Sequence, residues 1–200
     1  MSVDGSWDPG GLASRCVIPI AGGARRLAKG HSGQLTSRIM RMSEGVEWAL
    51  HTCLNLTWVE DDRAVPTATL AAFYGLPSAY LNKQLQALVR AGILTSTSGP
   101  RGGFRLARRP EDITVLDVVA AIEGPQEAFE CTEILRHGPG GEPGVDYRKV
   151  CVIAQTMRQA ELNWRRELAG RTLADLKATV EERFPAVPAQ TRSGLAGTRD

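Results

Sequence analysis

The stretch TATLAAFYGLPSAYLNKQLQALVR, residues 67–90, decides the fold. Thr67 can cap a short helix that Gly75 ends, because glycine takes the left-handed backbone of a helix C-terminus without strain. Pro77 and Ser78 then start a second helix through Arg90, whose apolar positions Leu81, Leu85, Leu88 and Val89 form a narrow stripe. Asn82, Lys83, Gln84 and Gln86 fall outside that stripe and give the helix a polar outer face. Two short helices joined by a tight glycine turn, the second polar on its outside, make a helix-turn-helix pattern.

Working outward, Ala91-Gly92 stops the second helix, and Ile93–Ser98 and Phe104–Ala107 read as two short strands. The loop between them, Gly99-Pro100-Arg101-Gly102-Gly103, predicts a β-hairpin whose backbone can approach another surface closely, with Arg101 at its tip. Upstream, Ser43–Val59 carries Val46, Ala49, Leu50, Cys53, Leu54 and Thr57 at helical spacing, with Ser43 in the cap position. Glu47 and His51 lie one turn apart on a different face of that helix. Downstream, a helix begins near Thr114 with Val115, Val118, Val119 and Ile122 as its stripe, and Gly124-Pro125 ends it. The final helical segments are expected over about Val150–Ala169 and Leu173–Phe184, with Ile153, Met157, Ala160, Trp164 and Leu168 along one side of the first. Such a stripe on a terminal helix calls for a partner chain.

The domain organisation follows. Residues 1–39 are rich in Gly, Ser and Arg without a sustained period and read as a disordered arm; Met40 and Met42 precede the first periodic segment, so translation from Met1, Met40 or Met42 is compatible with the sequence. Residues 40–124 hold the helix-turn-helix and its hairpin, 125–149 a glycine- and proline-rich loop bearing Cys131, 150–184 the terminal helices, and 185–200 a loose tail.

The chain has 200 residues, of which 42% are hydrophobic and 23% charged, close to a globular average and enough for a packed core. No apolar run approaches the ~18–20 residues of a bilayer span, and no secretory signal opens the chain, so a cytoplasmic location without a membrane partner is expected. Four cysteines, Cys16, Cys53, Cys131 and Cys151, are too scattered for a disulfide scaffold. The net charge of +2 hides a sharp asymmetry. From Ser43 to Asp62 there are five acids and no Lys or Arg, whereas Ala64–Pro110 has six bases (Lys83, Arg90, Arg101, Arg105, Arg108, Arg109) and no acid. A basic face confined to one part of the chain suits a polyanion. No phosphate-cradling loop, nucleophile elbow or zinc-hydrolase spacing is present, so the sequence does not read as an enzyme.

Arg41-Met42-Ser43 with the first helix, the run Leu88-Val89-Arg90-Ala91-Gly92-Ile93-Leu94, the hairpin motif Gly99-Pro100-Arg101-Gly102-Gly103-Phe104-Arg105-Leu106-Ala107 and the helix start Ile113-Thr114-Val115-Leu116-Asp117-Val118-Val119 resemble the Rrf-two family of bacterial winged helix-turn-helix regulators. Within it, Val46-Glu47-Trp48-Ala49-Leu50-His51, Cys131-Thr132-Glu133-Ile134 and the spacing from Cys131 to Cys151 are similar to the RsrR-like branch with two cluster cysteines. The resemblance implies a mainly α fold with a small β-hairpin wing and a long C-terminal dimerisation helix. It implies a homodimer that lays its second motif helix in the major groove of double-stranded DNA and its wing against the minor groove. Ser78, Tyr80, Asn82, Lys83 and Gln84 would then face the operator, and Arg101, Gly102 and Gly103 would form the wing contact. The chemistry agrees: Lys83 neutralises phosphate or reaches guanine, Asn82 and Gln84 carry the amide fork that suits adenine, and Arg101 suits a narrow, electronegative minor groove. Tyr80 reads equally as an aromatic at the core edge.

Family members commonly hold an iron–sulfur cluster on three closely spaced cysteines, and this chain has only Cys131 and Cys151 there. A [2Fe–2S] centre needs four protein ligands. The two-cysteine branch implies a carboxylate from the first helix, which Glu47 matches, and an imidazole from the end of the second, contributed by the other subunit, where this chain has Tyr74. Tyr74 as phenolate, His51 one turn beyond Glu47, or His137 in the loop are the candidates to complete the set. Cys53 sits on an apolar stripe and reads as a small core residue. The sequence therefore predicts a DNA-binding transcriptional regulator that senses redox or nitrosative state or iron–sulfur supply through a [2Fe–2S] cluster. Two alternatives are a metal-free DNA-binding regulator sensing through cysteine thiols or a small ligand, and a protein-interaction module on a winged-helix scaffold.

Overall fold

The structure is a computed structural model that describes residues 42–99, 102–124, 127, 129–139 and 141–196. The expected arm at 1–39, Cys16, Pro100 and the hairpin-tip residue Arg101 lie outside the described residues. Helix α1 spans Glu44–Leu56, α2 Thr67–Tyr74 and α3 Ser78–Arg90. A two-stranded antiparallel hairpin follows, β1 Leu94–Thr97 and β2 Gly103–Leu106, and then α4 Val115–Glu123. The C-terminal part holds α5 Tyr147–Val150, α6 Val152–Ala169, α7 Leu173–Arg183 and α8 Val187–Leu195. The architecture is mainly helical with a hairpin wing.

The stripe of α3 drives the packing. Leu81, Leu85 and Leu88 are fully buried against Ala49, Cys53 and Leu56 of α1, Leu70 and Ala71 of α2 and Val118 of α4. Each such leucine removed from water contributes about 1.5–3 kcal/mol. The turn between α2 and α3 is set by Gly75, whose φ of 64° lets the Gly75 and Leu76 amides donate back to Ala72 and Ala71 at 3.1 and 2.9 Å. Thr67 proves to be the first helical residue, and Pro66 stands in the extended cap position. At α1, Ser43 has the extended backbone of a cap without a side-chain cap bond; its amide instead donates to Glu123 Oε1 at 2.7 Å.

The wing is tied to the body at its base. Leu94 pairs with Leu106, Thr95 with Arg105 and Ser96 with Phe104. Val65, just before α2, exchanges two 2.9 Å backbone bonds with Phe104, so it acts as a third short strand edge. Gly103 makes this possible: its φ is +153°, and a Cβ there would run into the backbone of Val65.

Two capping boxes of one design fix the C-terminal part. Thr114 and Asp117 cap α4, Thr172 and Asp175 cap α7, and the two cap residues bridge one another in antiparallel fashion. Trp164 and Leu168 of α6 pack with Val46, Val115 and Val119. The predicted α6 stripe therefore divides. Its C-terminal half joins the core, whereas Ile153 at its start is 67% exposed, beside Val152, which lies outside the stripe and is 72% exposed.

The expected loose tail contains a helix. In α8, Pro188 falls in the first turn, where a missing amide costs nothing, so it does not break the helix. Thr191 and Leu195 are buried, Gly194 lies against the ring of Phe73 on α2, and Arg192 meets Glu60 at 3.5 Å. Among the described residues no helix is long and apolar enough to cross a membrane.

Candidate nucleic-acid interface and sensor residues

The polarity of α3 places its functional side chains. With its leucine stripe turned inward, Ser78, Asn82 and Lys83 are exposed on the opposite face, and Tyr80 is half-buried at the edge. Gln84 departs from the expectation. Its amide lies where a Cβ on Gly45 would come within 2.9 Å, so it packs on α1. Gly45 is itself buried, and its lack of a side chain admits Gln84. The signal was in the sequence only as a glycine in the first turn of a helix, where propensity alone disfavours it.

Gly102 and Gly103 have structural duties within the hairpin. A Cβ on Gly102 would strike the Thr97 carbonyl, and Gly103 abuts Val65. The basic block is partly neutralised by acids just beyond it. Arg109 forms a two-point contact with Asp112 at 3.0 and 3.3 Å, and Arg108 reaches Asp117 at 3.6 Å. The hydrogen bond from Arg109 holds the Asp112 carboxyl below the usual carboxylate range. Lys83, Arg90 and Arg105 have no carboxylate partner among the described residues.

The residues proposed to sense are distributed over three places. Glu47 and His51 are both exposed on α1, one turn apart. Cys131 and Cys151 are free, half-buried thiols. Cys131 lines a small cleft of about 130 Å³ with Phe129, Arg148, Met157 and Arg158. Cys151 is the N-cap residue of α6, its amide donating to the Tyr147 carbonyl at 2.9 Å. The loop between them has structure of its own: Glu133 pairs with Arg136 at 2.9 Å and Arg148 at 3.7 Å, and the Tyr147 hydroxyl accepts from the Glu142 amide at 2.7 Å. His137 is exposed at the end of a short turn of helix, Ile134–His137.

Tyr74 is otherwise engaged. Its hydroxyl accepts from Asn55 Nδ2 at 2.7 Å, and its ring makes edge contacts with Trp48 at 5.3 Å and Phe73 at 5.2 Å. Burial pushes the phenol well above its ordinary pKa, which opposes phenolate ligation. Burial likewise pushes the Cys53 thiol up to about 12, in keeping with a core residue. Among the described residues of one chain, no group of three or more His, Cys, Asp or Glu side chains is assembled for a metal. The donor types of Cys131, Cys151, Glu47 and His51, two thiolates plus a carboxylate and an imidazole, suit a [2Fe–2S] centre, but the described residues of one chain do not gather three of them.

With this geometry in view, comparison with known proteins decides the family. The Rrf2 family model, described as an iron-dependent transcriptional regulator, matches residues 42–179. This chain belongs to the Rrf2 family. YffB of Lactococcus lactis, assigned as an HTH-type transcriptional regulator, is 32% identical over 68% of this chain and 86% of its own length. The protein rrf2 of Nitratidesulfovibrio vulgaris is 31% identical over 68% of this chain and 87% of its own. The solved structure of T. potens IscR superposes with a TM-score of 0.54 over 72% of this chain and 91% of that one, at 23% identity. The Rrf2 chain described here is thus a winged-helix, DNA-binding transcriptional regulator and not an enzyme. A protein-interaction module that has lost DNA binding is not the reading its relatives support.

Proposed function

We propose that this Rrf2 regulator works as a homodimer of the two-cysteine branch, with its affinity for an operator set by a [2Fe–2S] cluster. Ser78, Asn82 and Lys83 read the major groove, Tyr80 supports the rim of α3, and Arg101 with the glycine turn meets the minor groove. Gln84 acts from behind, steadying α3 on α1. The exposed row Val152 and Ile153 on α6 supports pairing of two copies through the segment 150–184. As a regulator of operator DNA, the protein would work in the cytoplasm.

The observation that carries the cluster reading is the contrast on α1 and α2. Glu47 and His51 stand free and exposed one turn apart, whereas Tyr74 is buried and hydrogen-bonded. His51 is therefore preferred over Tyr74, and over the loop residue His137, to complete a set with Glu47, Cys131 and Cys151. Since one chain does not assemble these donors, Glu47 and His51 of one copy would meet the cysteines of the other. A bound cluster supplies a one-electron redox change. The protein's part is to hold α1, and with it Gln84 and α3, in one of two arrangements; a coupling of about 1–3 kcal/mol is enough to switch a promoter.

Anaerobic purification followed by iron and sulfide analysis and a visible spectrum tests this. A coloured protein with iron and sulfide in equal amounts is expected, and Glu47→Ala and His51→Ala lose it while Tyr74→Phe keeps it. A colourless, iron-free protein would instead favour the second reading, in which the free thiols of Cys131 and Cys151 sense directly.

A further inference from the structure

The base of the wing carries a cleft apart from the proposed DNA-reading and sensor residues. An open cleft of about 490 Å³ lies between the end of α1 and the residues that follow β2. That volume is within the range of ligand pockets, roughly 300–1,000 Å³. Its apolar wall comes from Leu56, Val59 and Leu106, and its charge from Arg63, Arg105, Arg108 and Arg109 against the single carboxylate of Asp112. These four arginines are not equivalent. Arg108 and Arg109 are held by Asp117 and Asp112. Arg105 is half-buried on β2 and has no carboxylate partner among the described residues. Arg63 is anchored at one nitrogen, Nη2 donating to the Leu195 carbonyl of α8 at 3.0 Å, and it too meets no carboxylate among the described residues.

We propose that this cleft binds a small organic anion, an oxyanion head on an apolar body, with Arg105 and Arg63 gripping the head and Leu56, Val59 and Leu106 covering the body. Guanidinium forks match carboxylate and phosphate alike, so the head group is named by that shared geometry. A bare inorganic ion would leave the apolar wall uncovered. The site is separate from the cysteine loop and at the opposite end of β2 from the wing tip. Arg105 is paired across the hairpin with Thr95, so an anion there bears on the wing itself.

The test is a titration of the full-length protein with benzoate, phenyl phosphate and inorganic phosphate, followed by two-dimensional NMR. Trp58 lies between cleft residues Thr57 and Val59, and its indole nitrogen donates to Glu181 at 2.8 Å, which gives a distinct reporter. Saturable shifts of the Trp58 indole and of the amides of residues 105–109 are expected with benzoate or phenyl phosphate, whichever head fits. Inorganic phosphate should bind at least about tenfold more weakly, since it cannot bury apolar area. Arg105→Gln, with an unchanged melting temperature without ligand, should abolish the shifts, and Lys83→Ala should leave them intact. Three results would each overturn the proposal: no saturable shift with either organic anion, equal binding of inorganic phosphate, or an Arg105→Gln variant that titrates like wild type. Loss of operator affinity in Arg105→Gln, with no small-anion binding in wild type, would assign these arginines to the DNA backbone instead.

Discussion

The amide of Asn55 donates to the hydroxyl of Tyr74 across 2.7 Å, joining the last turn of α1 to the last residue of α2. Asn55 is 7% exposed, so its amide has little access to water if the phenol is removed. Tyr74→Phe is therefore expected to cost about 1–3 kcal/mol of stability, the penalty of a buried donor left without a partner. Iron content and spectrum should not change. Denaturant melts combined with iron analysis check both halves; loss of the cluster with stability intact would make Tyr74 a ligand.

Gly103→Ala should damage the wing without touching the helices. The left-handed φ and the collision with Val65 both oppose a side chain, and about 2 kcal/mol of destabilisation is expected. The backbone bonds between Val65 and Phe104 are the reporters. Hydrogen exchange at those two amides should accelerate while that of Leu85 and Leu88 stays slow; uniform acceleration would mean that the wing and body unfold together.

The start of α7 gives a pH dependence. The backbone amide of Thr172, and then its hydroxyl, bond to the Asp175 carboxylate and hold its pKa below the ordinary value. The folded chain thus gives up this proton more readily than the unfolded chain. The associated stability is complete above the ordinary carboxylate range and is lost as pH falls through the lowered value. Thermal melts of wild type and Asp175→Asn should differ most near neutrality and draw together only as pH falls below the ordinary carboxylate range, through the lowered value. A difference that does not change with pH would contradict the capping role.

How much of this was readable beforehand depends on the range of the interactions. The α2–turn–α3 unit and the hairpin followed from local rules, a leucine stripe and a glycine at a φ of 64°, because each is decided within a few residues. The helix α8 was not, since 185–200, with prolines at 185 and 188, reads as a loose tail and its reason for folding lies on α2, where Gly194 meets Phe73. Gln84 belongs to the same class: only the approach of α1 and α3 shows that Gly45 receives it. The buried state of Tyr74 likewise depends on tertiary packing.

The docking of α8 predicts a further effect. Deletion of residues 187–200 uncovers the face of Phe73 that Gly194 meets and releases Arg63 from the Leu195 carbonyl. A fall in melting temperature of several degrees is expected. An unchanged melt would show that α8 contributes nothing to the winged helix.

The most direct test is the affinity of the protein for a labelled fragment from upstream of its own coding sequence, measured by anisotropy at several salt concentrations. Wild type should bind more weakly as salt rises, and Lys83→Ala should bind less tightly at every concentration with a log–log slope shallower by about one. Failure of wild type to bind that fragment even at low salt, or identical curves for Lys83→Ala, would contradict the assignment of α3 as the DNA-reading element.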